Sequence, residues 1–282
     1  VKVIESPQEM QNWSRAQAKT GLSIGLVPTM GYLHEGHLSL VRQARELCDQ
    51  VVVSIFVNPI QFGEGEDFDR YPRDLSRDLD LLEKEGVGAV FAPTARAMYP
   101  EKEQTNVEPP TGMENRLCGR NRPGHFRGVT TVVSKLFNIC LPDVAVFGQK
   151  DAQQALIIEK MVRDLNFPVR IVRGEIVREP DGLAMSSRNV YLSPEDRKNA
   201  TVLYRSLLMA KDLIKRGERN PSQVRNAMYE MINRVDGTQI DYIEIYNAKD
   251  LSELEEINGQ VLLALAVRFG DTRLIDNLLL EV

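Results

Sequence analysis

Hydrophobic and polar positions change their period several times along the first half of the chain. Residues 22–27 form a short apolar run that stops at Pro28. Residues 36–48 repeat with helical spacing, with Leu40, Val41, Ala44 and Leu47 on one side. Residues 51–57 are a near-continuous β-branched run, the pattern of a strand covered on both faces. The alternation continues with an amphipathic helix over 75–85, a short strand over 88–91 and a helix over 129–139. A strand over 144–147, a helix over 152–166 and a strand over 169–172 complete the series. Strands alternating with helices predict a parallel sheet with helices on its faces. Right-handed crossovers then place the ends of several strands along one crevice.

The second half has a different character. Helices over 195–216 and 222–235, strands over 239–246 and 260–269, and a final strand over 274–280 predict a small α+β domain. The expected boundary lies near Ile176, before the polar stretch Arg178-Glu179-Pro180-Asp181-Gly182, giving domains of 1–176 and 177–282. A length of 282 residues agrees with two domains of roughly 150 residues each. No internal repeat or low-complexity segment interrupts the pattern.

Charge and cysteine content narrow the functional classes. The chain carries 35 basic and 40 acidic side chains, a formal charge of −5. That balance argues against a general nucleic-acid binder while leaving room for a local cationic pocket. Cys48, Cys118 and Cys140 are few, odd in number and without metal-like spacing, which fits a reducing compartment rather than a disulfide scaffold. No apolar run approaches the roughly 18 residues of a membrane span. Residues 1–10, with Glu5, Pro7 and Glu9, lack the apolar core of a signal peptide. A cytoplasmic protein is expected, with no nucleic-acid or membrane partner.

Candidate chemistry clusters after the strands. Residues 28–37 follow one strand and open a helix, where exposed N–H groups and the helix dipole favour anions. Gly31 and Gly36 allow close backbone approach, and His34 and His37, three apart, share one helical face. Two surface histidines at a helix start would read the same way. The His-Glu-Gly-His order lacks the i, i+4 histidines of a zinc protease, and the only other histidine is His125. No G-x-G-x-x-G turn follows the first strand.

A second cluster, Gly148-Gln149-Lys150-Asp151, again sets a glycine and a cation at a strand end; an ordinary turn with a solvated Lys is the plain alternative. Met185-Ser186-Ser187-Arg188-Asn189 gathers hydroxyls, an amide and a guanidinium suited to a triphosphate, or else forms a polar interdomain loop. Asn58 and Gln61, just past the 51–57 strand, are neutral amides that can orient a carboxylate or hydroxyls. Gln153 and Gln154 follow Lys150 and are expected to face the same crevice. Residues 120–128 form a basic, glycine-containing stretch that reads as a mobile cover or a solvated loop.

Taken in order, five motifs resemble those of the pantothenate synthetase family. They are Met30-Gly31-Tyr32-Leu33-His34-Glu35-Gly36-His37, Phe56-Val57-Asn58-Pro59-Ile60-Gln61-Phe62, Arg122-Pro123-Gly124-His125-Phe126, Phe147-Gly148-Gln149-Lys150-Asp151 and Asp181-Gly182-Leu183-Ala184-Met185-Ser186-Ser187-Arg188-Asn189. The resemblance covers nearly the whole chain and is weaker after Tyr191. It implies a Rossmann-like core, so the expected fold is α/β, a Rossmann-like parallel-sheet domain with the smaller C-terminal α+β domain. That domain is expected to act as a lid, since Met185 to Arg188 lie beyond the boundary yet suit phosphates. It also implies an ATP-dependent ligase that condenses (R)-pantoate with β-alanine through a pantoyl adenylate, with Mg²⁺, as a homodimer. ATP contacts carry over to residues 30–37, 148–151, Val177 and Met185, Ser186, Ser187 and Arg188. Gln61 and Gln154 carry over to pantoate, Asn58 is expected to bind pantoate with them, and Gln61 carries over also to β-alanine. His37 is the implied proton donor, and His34, Lys150 and Arg188 are the other implied catalytic groups. No residue set of its own is expected for a metal.

The residues suit that chemistry without a covalent nucleophile. A carboxylate is a poor electrophile and must be activated before an amine can attack it, a task of positioning and electrostatics. An adenylyltransferase that leaves AMP on its product, a tRNA synthetase, and a non-catalytic nucleotide-binding module are the competing readings. The acidic charge and the lack of an anticodon-binding extension count against the second, and the intact polar set against the third.

Overall fold

The computed structural model describes residues 1–282. The chain divides into two compact units: Val1–Pro110, Arg122–Gln149 and Ile157–Glu175 in one, and Thr111–Asn121, Lys150–Leu156 and Ile176–Val282 in the other. The last change of unit falls beside the expected boundary. Two short earlier segments, 111–121 and 150–156, group with the C-terminal unit.

In chain order the elements begin with β1 (Lys2–Ile4), α1 (Pro7–Lys19), β2 (Ile24–Thr29), α2 (Glu35–Leu47), β3 (Gln50–Ile55), α3 (Leu75–Lys84) and β4 (Ala89–Phe91). Short helices α4 (Ala95–Met98), α5 (Thr111–Glu114) and α6 (Leu117–Arg120) precede α7 (His125–Cys140), β5 (Val144–Gly148), α8 (Ala152–Asp164) and β6 (Arg170–Gly174). The remainder comprises α9 (Pro194–Asn199), α10 (Val202–Lys215), α11 (Pro221–Asn233), β7 (Thr238–Asn247), β8 (Gln260–Phe269) and β9 (Thr272–Glu281).

Six strands of the first unit form one parallel sheet in the order β1-β4-β3-β2-β5-β6. The parallel sheet expected from the alternating pattern is therefore present. The chain moves outward from β2 through β3 and β4, then returns to lay β5 on the other side of β2. The switch point, where a ligand crevice opens in such sheets, thus lies between the ends of β2 and β5. Val27, Val51, Val53, Val90 and Val146 build the core with Leu38, Val41 and Ala44 of α2. Close approach of α2 requires a glycine on β6: a Cβ at Gly174 would lie 2.1 Å from Leu40 Cδ2.

Helix starts follow from local chemistry. Ser6 caps α1 with Pro7 in the first turn, Asp74 caps α3, and Asn220 precedes Pro221 of α11. Helix α7 starts at His125, earlier than the 129–139 stretch suggested, because Gly124 adopts φ 77° and launches the turn. Burial on nearly all sides explains how it tolerates Val129, Thr130, Thr131, Val132 and Val133: packing overrides their weak helix propensity.

The second unit pairs β7, β8 and β9 as an antiparallel sheet, with Leu263 of β8 opposite Ile245 and Leu278. Leu203, Leu207, Ala210 and Ile214 of α10 and Val224, Met228 and Ile232 of α11 share its core. The single helix expected over 195–216 is two. Near Ala200 the bonding tightens, and the Leu203 N–H donates to the Ala200 carbonyl three residues back. Strand β1 and helix α1 were outside the sequence expectation; β1 has three residues, too few to show a period.

Candidate active site

In the first unit, residues 30–34 carry the chain from β2 into α2. Gly31 and Tyr32 adopt φ 81° and 52°. Left-handed backbone is costly at Tyr32, and something must hold it there. Asp78 of α3 does so: its carboxylate accepts the Tyr32 and Leu33 N–H groups, each at 2.7 Å. The side chain is 1% exposed. Burial pushes the Asp78 carboxyl up from its ordinary range, and the bonds from Leu33 and Tyr32 oppose that shift.

The two histidines are locked by the same turn. The Gly36 N–H donates to His34 Nδ1 at 3.1 Å, and the His34 N–H donates to His37 Nδ1 at 3.3 Å. Each Nδ1 is an acceptor, so the ring proton of each neutral imidazole is assigned to Nε2. The rings lie 4.0 Å apart between centroids. A helix N-terminus flanked by two Nε2–H donors is a site for anionic oxygen.

Asn58 and Gln61 occupy the turn after β3. Asn58 is 1% exposed. Its Nδ2 donates to Gln61 Oε1 and to the Gly128 carbonyl, both at 3.1 Å, while its Oδ1 accepts from the Tyr99 hydroxyl at 2.8 Å. Burial pushes the Tyr99 phenol up, which keeps it a donor. With its carbonyl oxygen accepting from Asn58, Gln61 directs its Nε2 to the Met30 thioether at 3.2 Å, a weak acceptor. The Gln61 backbone is gripped as well. His125 Nδ1 lies 2.8 Å from the Gln61 carbonyl, and Arg122 Nη1 lies 3.0 Å from His125 Nε2. Because arginine only donates, Nε2 accepts and Nδ1 carries the proton. Arg122 also makes a bidentate pair with Glu66 at 2.6 and 2.7 Å. The 120–128 stretch is therefore partly helix and partly a strut for Gln61. Gly128 permits the approach: a Cβ there would meet the Ile60 carbonyl oxygen at 2.5 Å and Gln61 Cα at 2.7 Å.

Within the second unit, Lys150 lies 4.0 Å from Asp151, and its carbonyl accepts from Asn277 Nδ2 at 2.9 Å. Gln154 is half-buried. Gln153 has a structural task instead of the crevice-facing one expected. Its amide oxygen accepts from the Cys118 N–H at 2.9 Å, and its nitrogen donates to the Met113 and Arg116 carbonyls. Residues 177–185 form a hairpin: the Met185 N–H donates to the Val177 carbonyl at 3.0 Å, and Glu179 and Leu183 pair inside it. Ser186 then caps the short turn Ser187–Tyr191 by accepting from the Arg188 N–H at 3.3 Å. Gln149, on the first unit, meets Arg173 at 3.5 Å.

The pantoate-β-alanine ligase family model matches residues 2–279. A pantothenate synthetase of Syntrophomonas wolfei is 64% identical over the full length of both chains, and one of Heliobacterium modesticaldum is 58% identical over 282 residues. Among solved structures, pantothenate synthetase from Thermus thermophilus superposes with a TM-score of 0.92 at 45% identity, covering 99% of each chain. The pantoate-β-alanine ligase of Francisella tularensis, solved with β,γ-ATP and β-alanine, gives 0.82 at 33% identity, covering 99% of this chain and 97% of that one.

The chain belongs to the pantoate-β-alanine ligase family. The resemblance carried by the five motifs is thus a family membership, and the α/β fold it implied is the fold observed. Sequence reasoning missed Asp78, Tyr99 and Asn277. For Asp78 a signal existed, since helical period sets it on the same stripe as Leu82, a polar residue where a core residue belongs. No group of three or more His, Cys, Asp or Glu side chains is arranged to hold a metal ion. No helix is long and apolar enough to cross a membrane.

Proposed function

We propose that the protein condenses (R)-pantoate with β-alanine at the expense of ATP, releasing AMP and diphosphate. In the first step a pantoate carboxylate oxygen bonds to the α-phosphorus of ATP while the bond to the bridging oxygen breaks and diphosphate leaves. In the second, the β-alanine nitrogen attacks the acyl carbon of the adenylate, the carbon–oxygen bond breaks, AMP leaves and the amine proton is lost. The observation that carries this reading is the pair of histidines at the start of α2 with both Nδ1 atoms accepting backbone N–H groups. Two Nε2–H donors at a helix N-terminus stabilise charge that grows on phosphate oxygens as diphosphate departs.

In this assignment Met30 to His37, Gly148 to Asp151, Val177 and Met185 to Arg188 contact ATP, and His37 is the proton donor. His34 donates from Nε2 to a phosphate oxygen, and Lys150 and Arg188 balance phosphate charge. Gln61 and Gln154 hold pantoate, and Gln61 also lies at the β-alanine position. Asn58, expected to bind pantoate, instead orients Gln61, because its amide is buried and bonded to Gln61, Gly128 and Tyr99. The chain offers no three-ligand cage, so Mg²⁺ enters as the nucleotide's companion, held mainly by phosphate oxygens and water. A homodimer in the cytoplasm, with the C-terminal domain as a lid, completes the proposal. Incubation with ATP, pantoate and β-alanine tests it by product analysis. Pantothenate, free AMP and diphosphate in equal amounts are expected; ADP with phosphate, or AMP retained on the product, would overturn it.

A further inference from the structure

We infer that Asn277 and Asp276, adjacent on β9, are positioning residues that set the two stretches of the second unit assigned to ATP. The inference rests on that assignment of Lys150, Val177 and Met185 to Arg188. Strand β9 is a firm base, since all ten of its residues, Thr272 to Glu281, pair with β8. Both residues are buried. From this base the Asn277 amide donates to the Lys150 carbonyl at 2.9 Å, fixing the backbone from which the lysine reaches out. A lysine is a point charge on a flexible stem, so its placement depends on where its backbone is held.

Asp276 ties down the other stretch. Its carboxylate makes a bidentate pair with Arg178 at 2.6 and 2.9 Å. Arg178 lies on the first arm of the hairpin 177–185, bridges Ala184, donates to the Gly182 carbonyl at 3.1 Å and stacks 3.7 Å from the centre of the Tyr204 ring. One carboxylate therefore roots the hairpin whose end delivers Ser186 to Arg188. A buried ion pair is often no more stabilising than apolar packing would be, whereas its geometry is specific. That balance fits a positioning role better than a structural one.

A positioning residue loses its effect when the group it positions is gone. The test measures pantoate-dependent ATP–diphosphate exchange for Asn277→Ala, Lys150→Ala and the double variant, with thermal unfolding of each. Asn277→Ala is expected to lower kcat by about 10- to 100-fold, the scale of a misplacement near 1 Å, with the pantoate KM unchanged. In the Lys150→Ala background it should cost nothing further. An equal factor in both backgrounds, or a loss that follows unfolding alone, overturns the inference. Should Asn277→Ala fail to fold, Asn277→Asp keeps the volume, removes the amide donor and serves in the same cycle. Normal exchange in Lys150→Ala would show instead that the assignment of Lys150 to ATP is wrong, and the inference would fall with it. The second tie is read the same way: Asp276→Asn should slow exchange in the wild-type background and add nothing to Arg178→Met, and additive losses would refute it.

Discussion

Replacing Gly128 by alanine perturbs one contact of the site proposed for pantoate without touching any side chain in it. The added Cβ would lie 2.5 Å from the Ile60 carbonyl oxygen, 2.7 Å from Gln61 Cα and 2.8 Å from the Gln61 nitrogen. All three are backbone atoms, so no rotamer can relieve the clash. The turn or α7 must retreat by about 1 Å to restore ordinary contact. Alanine gains about 1 kcal/mol of helix propensity over glycine, while overpacking costs about 1–3 kcal/mol, so the net loss of stability is at most about 2 kcal/mol. Function should suffer more. The retreat carries Gln61 with it and strains the bonds from Asn58 to the Gly128 carbonyl and from His125 to the Gln61 carbonyl. A displacement of that size lowers kcat/KM for pantoate about 100-fold. Urea unfolding and steady-state kinetics measure the two effects separately. Gly112→Ala is the control, because a Cβ there meets nothing within 4 Å. A Gly128→Ala enzyme with wild-type kcat and pantoate KM would show that the close approach at Gly128 does not hold Gln61 in place.

Further expectations follow from other parts of the site. His37→Ala should slow adenylate formation about 10²–10³-fold in single-turnover assays with little change in unfolding, the scale of one lost donor to a developing charge. Gln61→Glu and Gln154→Glu should each weaken pantoate binding while ATP binding persists, because a like charge replaces a neutral donor; separate calorimetric titrations decide, and unchanged pantoate affinity in both excludes the role. Asp78→Asn replaces a two-oxygen acceptor by one oxygen and should loosen the Gly31–Tyr32 turn, raising the ATP KM with the pantoate KM less affected. Glu66 has a lowered pKa: burial raises it, but the hydrogen bonds and charge of Arg122 outweigh that. A carboxylate whose folded pKa lies below its unfolded one contributes stability above the unfolded value and loses it as pH falls through the folded one. The stability advantage of wild type over Glu66→Gln should therefore be present at neutral pH and vanish in acid, as followed by unfolding across that range.

What could be read ahead of the structure depended on how local each signal is. The His34–His37 helix start was legible because strand, glycine and helix follow one another within a few residues, and the dipole argument needs nothing else. The parallel sheet was legible from runs such as 51–57, whose lack of alternation marks burial on both faces. The clamp on that same turn was not, because Asp78 comes from another helix and its partners are backbone N–H groups, which no side-chain pattern reveals. Gln153 and Gln154 show the limit from the other side. Adjacent and chemically alike, they looked equally suited to the crevice, yet Gln153 is consumed by Met113, Arg116 and Cys118. Gly128 reads in the sequence as one glycine of a loop, whereas it lies within α7 and is glycine because a neighbouring turn touches the helix.

ATP–diphosphate exchange with labelled diphosphate shows whether pantoate is activated as an adenylate before the amine acts. With ATP, Mg²⁺ and pantoate present and β-alanine withheld, the label should enter ATP, and His37→Ala should reduce the rate about 10²–10³-fold. Exchange that appears only after β-alanine is added would mean that no pantoyl adenylate forms ahead of the amine.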